Sequence, residues 1–134
     1  MPANVQPLFL LTPVIGMVKI ATANTARDGS GTMSTIVTGG TNGTTVTTLQ
    51  VKAEVTTTAG VIRVYVSNTT AANTTANTFL LKEIVVTAVT ASGTAASFDS
   101  TLTFDDLKIP SGSTLRVSTD KAESFSVTAR GGDY

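Results

Sequence analysis

Hydrophobic and polar positions alternate along this chain with a period of two, the repeat of a strand whose successive side chains point to opposite faces. From Val46 to Val55, the set Leu49, Val51, Ala53 and Val55 opposes Thr48, Gln50, Lys52 and Glu54. Ile62, Val64 and Val66 then alternate with Arg63 and Tyr65. Further on, Phe98, Ser100, Leu102 and Phe104 oppose Ser97, Asp99, Thr101 and Thr103. Leu115, Val117 and Thr119 alternate with Arg116 and Ser118, and Phe125, Val127 and Ala129 with Ser126, Thr128 and Arg130. No stretch of ten residues carries a helical stripe.

Three weaker segments complete about eight strands. Val14 to Ile20 and Met33 to Val37 are two. Phe79 to Val89, apolar on both faces around Lys82-Glu83, reads as a strand near the middle of a sheet or beneath an interface. The separators are loop chemistry: Asn24 to Gly31, Gly39 to Gly43, a Thr/Ala/Asn stretch from Asn68 to Thr78, and Pro110 to Ser113. Thr56 to Gly60 suits a hairpin connection, as does Asp120 to Glu123, which makes the last two strands a terminal hairpin. Asp105 to Lys108 suits one short turn. These features predict an all-β chain: one antiparallel β-sandwich, jelly-roll-like, with no significant helix. Its expected interior is Leu49, Val51, Val55, Ile62, Val64, Val66, Phe98, Leu102, Phe104, Leu115, Val117, Phe125 and Val127.

The start of the chain departs from this pattern. Pro7-Leu8-Phe9-Leu10-Leu11-Thr12-Pro13 is an apolar run fenced by prolines, which favour an extended course and lack a ladder N–H. It divides the chain into an extended arm, residues 1–13, and a sandwich domain, residues 14–134. Apolar surface of that size either covers its own sheet or docks on another chain. Leu8, Phe9, Leu10 and Leu11 are the expected partner interface, with Phe9 and Leu11 on one side and Leu8 and Leu10 on the other. The segment is too short and too broken for a membrane span, and it has no basic leader for a signal peptide.

Composition narrows the chemistry. The 134 residues contain no His, Cys or Trp, and roughly one in five is Thr. The absent types carry most acid-base, thiol and soft-metal chemistry near neutral pH, whereas Thr fits a pleated, half-buried surface. Nine basic and nine acidic residues balance without runs, which disfavours a nucleic-acid surface. A charged fraction of 13% is about half the usual value and leaves sheet edges with little electrostatic protection. With the apolar arm and Phe79 to Val86, it points to an oligomer, most simply a homotrimer.

Individual motifs add little. Asp28-Gly29-Ser30-Gly31 lacks the ligand spacing of a calcium loop and the Gly-Lys-Ser/Thr ending of a phosphate loop, and reads as a Gly-rich turn. Asp105-Asp106 is the one adjacent carboxylate pair; neighbours in sequence point apart, so a turn or solvated edge is the simpler reading. The glycosylation-type triplets at Asn42, Asn68 and Asn73 arise readily in so Thr-rich a chain. No residue is assigned a catalytic, cofactor or metal role.

Met1-Pro2-Ala3-Asn4 with Leu11-Thr12-Pro13, the stretch Thr22 to Gly31, Lys82-Glu83-Ile84 and the closing Gly131-Gly132-Asp133-Tyr134 give the chain a resemblance over most of its length. It resembles small virion proteins of tailed bacteriophages. That likeness implies a β-sandwich cement or decoration protein of the capsid, trimeric on the shell and assembled in the host cytoplasm. Its implied partners are further copies of itself and the major capsid protein or another virion protein, with neither nucleic acid nor membrane. Two other classes remain. A tail or fibre module would bind a receptor or glycan through the Asn68 to Thr78 loop. A small hydrolase would use carboxylates such as Asp99, Asp105 and Asp106, brought within roughly 5–10 Å across a cleft.

Overall fold

A computed structural model describes residues 9–134. Eight strands run in chain order: β1 (Thr12–Ile20), β2 (Ser34–Thr38), β3 (Thr44–Ala53), β4 (Gly60–Ser67), β5 (Thr78–Val86), β6 (Asp99–Ile109), β7 (Thr114–Thr119) and β8 (Phe125–Asp133). They form two four-stranded sheets ordered β1-β8-β3-β6 and β2-β7-β4-β5, with every ladder antiparallel. The described residues contain no helix. The all-β, antiparallel sandwich expected from alternation is the observed architecture.

The pairing is nested: β1 with β8, β2 with β7, β3 with β6 and β4 with β5. The chain thus runs as one long antiparallel hairpin folded over into two layers. This nesting corrects two local expectations. β3 and β4 lie in different sheets, so Thr56 to Gly60 is a crossover and not a hairpin. β7 and β8 also lie in different sheets, so the chain has no terminal hairpin. Both errors have one cause: short turn-rich connections look alike whether they return within a sheet or bridge two. β4 and β5 form the one hairpin between consecutive strands, and the long 68–77 loop joins them.

The core fills the space between the sheets. Leu49, Val51, Ile62, Val64, Leu115 and Val117 are fully buried, and Phe125 and Val127 nearly so. Phe98 is buried, while Leu102, Phe104 and Val66 pack partly buried at its margin. Val55 is 41% exposed, contrary to expectation. β3 ends at Ala53, and the chain leaves the sheet before the alternation can bring Val55 inside. Thr57 then bonds to the segment after β5, donating its N–H to the Val89 carbonyl (3.0 Å) and accepting the Val89 N–H (3.2 Å).

β5 is an edge strand, not a central one. Its even positions Ile84 and Val86 are buried, whereas Phe79, Leu80, Leu81 and Val85 stay exposed. Asp105 to Lys108 belong to β6 rather than to a turn. There, three residues, Phe104 to Asp106, stand opposite Thr47 alone in the ladder. Thr47 is likewise the extra residue of β3 against β8, next to the Val46–Gly131 pair. A Cβ at Gly131 would sit 1.7 Å from the Thr45 carbonyl oxygen, so only glycine lets the strands approach there.

Leu49→Ala should lower unfolding free energy by about 2–5 kcal/mol, since it empties a fully enclosed site. Val55→Ala should change it by no more than about 0.5 kcal/mol. Urea denaturation of both variants checks the contrast; equal losses would contradict the burial described.

Candidate interaction surface

The two sheets present unlike outer faces. On the β2-β7-β4-β5 sheet, all six residues of β7 are buried, its outward Thr114, Arg116 and Ser118 included. Loops 21–33 and 68–77 cover them. The outward set that reads as solvated in sequence is instead a layer of clamps. Arg63 donates through Nη1 to the Asn24 carbonyl (3.1 Å), and Tyr65 Oη to the Ala26 carbonyl (2.8 Å). Arg116 donates through Nη2 to the carbonyls of Ala71 (2.6 Å) and Thr69 (3.2 Å). Asn73 ties the two loops together, donating to the carbonyls of Gly29 (3.2 Å) and Gly31 (2.8 Å). A buried cation is tolerated when its donors are matched; burial still pushes the Arg116 pKa down and that of Tyr65 up.

One carboxylate anchors this cap. Glu83 on β5 accepts from Arg27 Nε at 2.6 Å and lies 3.5 Å from Arg63 Nε. The hydrogen bond from Arg27, joined by the charges of both arginines, holds Glu83 below its ordinary value. The Asp28 to Gly31 segment closes on itself. Asp28 accepts the Ser30 N–H (3.1 Å) and hydroxyl (2.5 Å), bonds that lower its pKa. Gly29 and Gly31 adopt positive φ, which makes the segment the Gly-rich turn the sequence suggested. The Asn68 to Thr78 loop is therefore pinned, with Asn68 N–H on the Asn77 carbonyl (3.0 Å), rather than a free tether.

Among the described residues, nothing covers the outer face of the β1-β8-β3-β6 sheet in this way, and its β1 margin is apolar. Leu8 lies outside the described residues. Phe9 is 71% exposed and Leu11 77%. Leu10 turns the other way, against Gly132, where an added Cβ would lie 3.1 Å from it. The Leu11 N–H donates to the Asp133 carbonyl at 2.8 Å, so the ladder takes hold earlier than residue 14, where the domain was expected to begin. Beyond Pro13, Ile15 and Met17 are also exposed. Pro13, Ile15 and Met17 are alternate residues of β1 and share one face, and the exposed Phe9 and Leu11 precede them in the chain.

β1 also differs from the other edges in its regularity. β2, β5 and β6 each break register against their neighbours, a device that blunts sheet edges. β1 pairs with β8 over nine residues without a break. Pro13 and Lys19 are the features of β1 that oppose strand addition. Ile15 and Met17 escaped the sequence reading, although the odd positions from Phe9 to Met17 are uniformly apolar. Their signal is a second, outward period-two set that continues past Pro13 into β1.

Asp99 and Asp105 are six strand residues apart on β6, roughly 20 Å. Asp105 and Asp106, expected to point apart, both border one cleft beside β5, because the β6 bulge breaks the strand's alternation there; Asp106 is hydrogen-bonded to Lys108. Among the described residues no cluster of three His, Cys, Asp or Glu side chains is placed to hold a metal. No family model matches the chain, and no curated protein matches its sequence.

Two outcomes test the loop cap. Arg116→Met leaves the Ala71 carbonyl without its donor and the Thr69 carbonyl with the Thr114 hydroxyl alone; it should cost about 1–3 kcal/mol, with faster hydrogen exchange confined to residues 68–78. Glu83, its folded pKa depressed, contributes stability that is fully present above its unfolded value of 4.5. That contribution is lost as pH falls through the folded value. Glu83→Gln should therefore be less stable than the wild type at pH 7 and converge with it well below pH 4, as thermal melts across that range would reveal.

Proposed function

We propose that this chain is a non-enzymatic structural protein of a bacteriophage particle, most simply a cement or decoration protein that stabilises the capsid. The observation that carries the reading is the exposed apolar set Pro13, Ile15 and Met17 on the unbroken edge strand β1, with exposed Phe9 and Leu11 just before it. A monomer rarely leaves so continuous an apolar line in water, and interfaces draw most of their energy from a few buried large side chains. The charge-poor exterior supports the same reading, since it lets subunits pack closely without desolvating many ions. The nested strand order supports the jelly-roll-like description that goes with it. A protein that binds only the assembled shell stabilises that state by mass action.

The second reading is a tail or fibre module for a receptor or glycan. The pinned loops 21–33 and 68–77 favour it, because a preorganised polar platform binds with little ordering cost. Binding of the isolated protein to host-surface glycans, abolished by substitutions in 68–77, would select that reading.

Deleting residues 2–11 tests the docking role. The truncated chain should retain its β-sheet circular dichroism and lose incorporation into particles. Phe9→Ala should weaken association by about 1–3 kcal/mol. Unchanged incorporation would mean that the arm serves its own sheet. Loss of folding would place it in the core.

A further inference from the structure

Two glycines follow a side chain whose carbonyl carbon the next main-chain nitrogen can attack: Gly29 after Asp28 and Gly43 after Asn42. Glycine has no Cβ to shield its own nitrogen. The asparagines at 4, 24, 68, 73 and 77 are followed by Val or Thr, whose branched Cβ crowds that nitrogen. The fold separates the two glycine sites. The Asp28 carboxylate is held by the Ser30 N–H and hydroxyl, and an ionised carboxylate is a poor electrophile. Gly29 is wedged against Thr78, where a Cβ would sit 2.4 Å from the carbonyl oxygen. Asn42, by contrast, is exposed in the turn Gly40-Thr41-Asn42-Gly43, and its amide makes a long bond of 3.4 Å to the Tyr134 main-chain oxygen. A Cβ at Gly43 would meet no atom nearer than 3.7 Å. Asn24 and Asn73 each donate to two loop carbonyls, and Asn77 donates to that of Ala72.

We infer that Asn42 is a site of spontaneous deamidation, with water as the co-reactant. The Gly43 nitrogen attacks the Asn42 Cγ, the Cγ–Nδ2 bond breaks, and the Gly43 proton leaves with the amide as ammonia. Water then opens the resulting cyclic imide at either carbonyl, giving aspartate or a main chain lengthened through the side chain as isoaspartate. The Gly43 N–H is held by the Gly40 carbonyl at 3.0 Å, so the turn must open first. Opening it uncovers no apolar side chain, since residues 40–43 are Gly, Thr, Asn and Gly, and such local openings lie at the low end of a fold's stability range. The site adjoins the residues that hold the arm. Gly40 abuts the Asp133 carboxylate, which a Cβ there would approach to 2.9 Å. The Asp133 carbonyl in turn accepts the Leu11 N–H. The product carboxylate cannot donate to Tyr134, and it adds a negative charge to the turn that abuts Asp133. Deamidation therefore loosens residues 133–134 and the start of the arm fixed to them, whatever the arm docks on.

The folded full chain is kept in warm, mildly alkaline buffer and mapped by peptide mass spectrometry, beside a sample unfolded in urea that calibrates the chemistry. Asn42 should convert to a mixture of aspartate and isoaspartate while the other five asparagines stay amides, and Asn42→Gln should abolish the conversion. An Asn42 that stays an amide in the folded chain while it converts in urea overturns the site, as does earlier conversion at another asparagine. Asn42→Asp supplies a uniform product for hydrogen exchange. Its amides at Leu11 and Tyr134 should exchange faster than those of the wild type, with the exchange of β4 and β7 unchanged. Equal exchange at Leu11 and Tyr134 overturns the link to the arm.

Discussion

Contact between the inner faces of the two sheets, Leu49, Val51 and Val127 against Ile62, Val64 and Val117, governs where every other part of the chain can go. Each strand places alternate side chains inward, so burial of one set dictates the face of the other. A one-residue slip in any strand would exchange its core for its surface. The bulges at Ile36, Thr47, Leu81 and Phe104 to Asp106 absorb changes of phase without such a slip. Gly131 permits one of them by letting the β3 backbone approach.

This constraint leaves two outer faces with opposite fates. One disappears under loops that contribute backbone carbonyls and receive arginine and asparagine donors in return. Arg63 and Arg116 suit that task, since a guanidinium presents several donors and accepts none. Matched hydrogen bonds also explain how a cation such as Arg116 lies buried with no carboxylate bonded to it. The other face stays open, and its margin at β1 carries apolar side chains where most edges carry charge or a bulge.

The alternation in five segments was sufficient for fold class, strand count and most of the interior, because period two is a local property of a half-buried strand. The arm's exposed Phe9 and Leu11 were legible as well, since prolines on both sides announce an extended run with no helix or hairpin to bury it.

What tertiary structure alone decided was which strands became neighbours. Short polar connections between β3 and β4 and between β7 and β8 carry no mark that they cross from sheet to sheet, because the destination depends on all eight strands packing at once. Burial of Arg63, Arg116 and Asn24 was equally hidden. Local sequence states that a residue faces away from the core, but only the folded chain determines whether a distant loop lies over it. The same holds for β5, whose two-sided apolar pattern reads as a central strand or one beneath an interface: its place at the sheet edge was set by the packing of all eight strands.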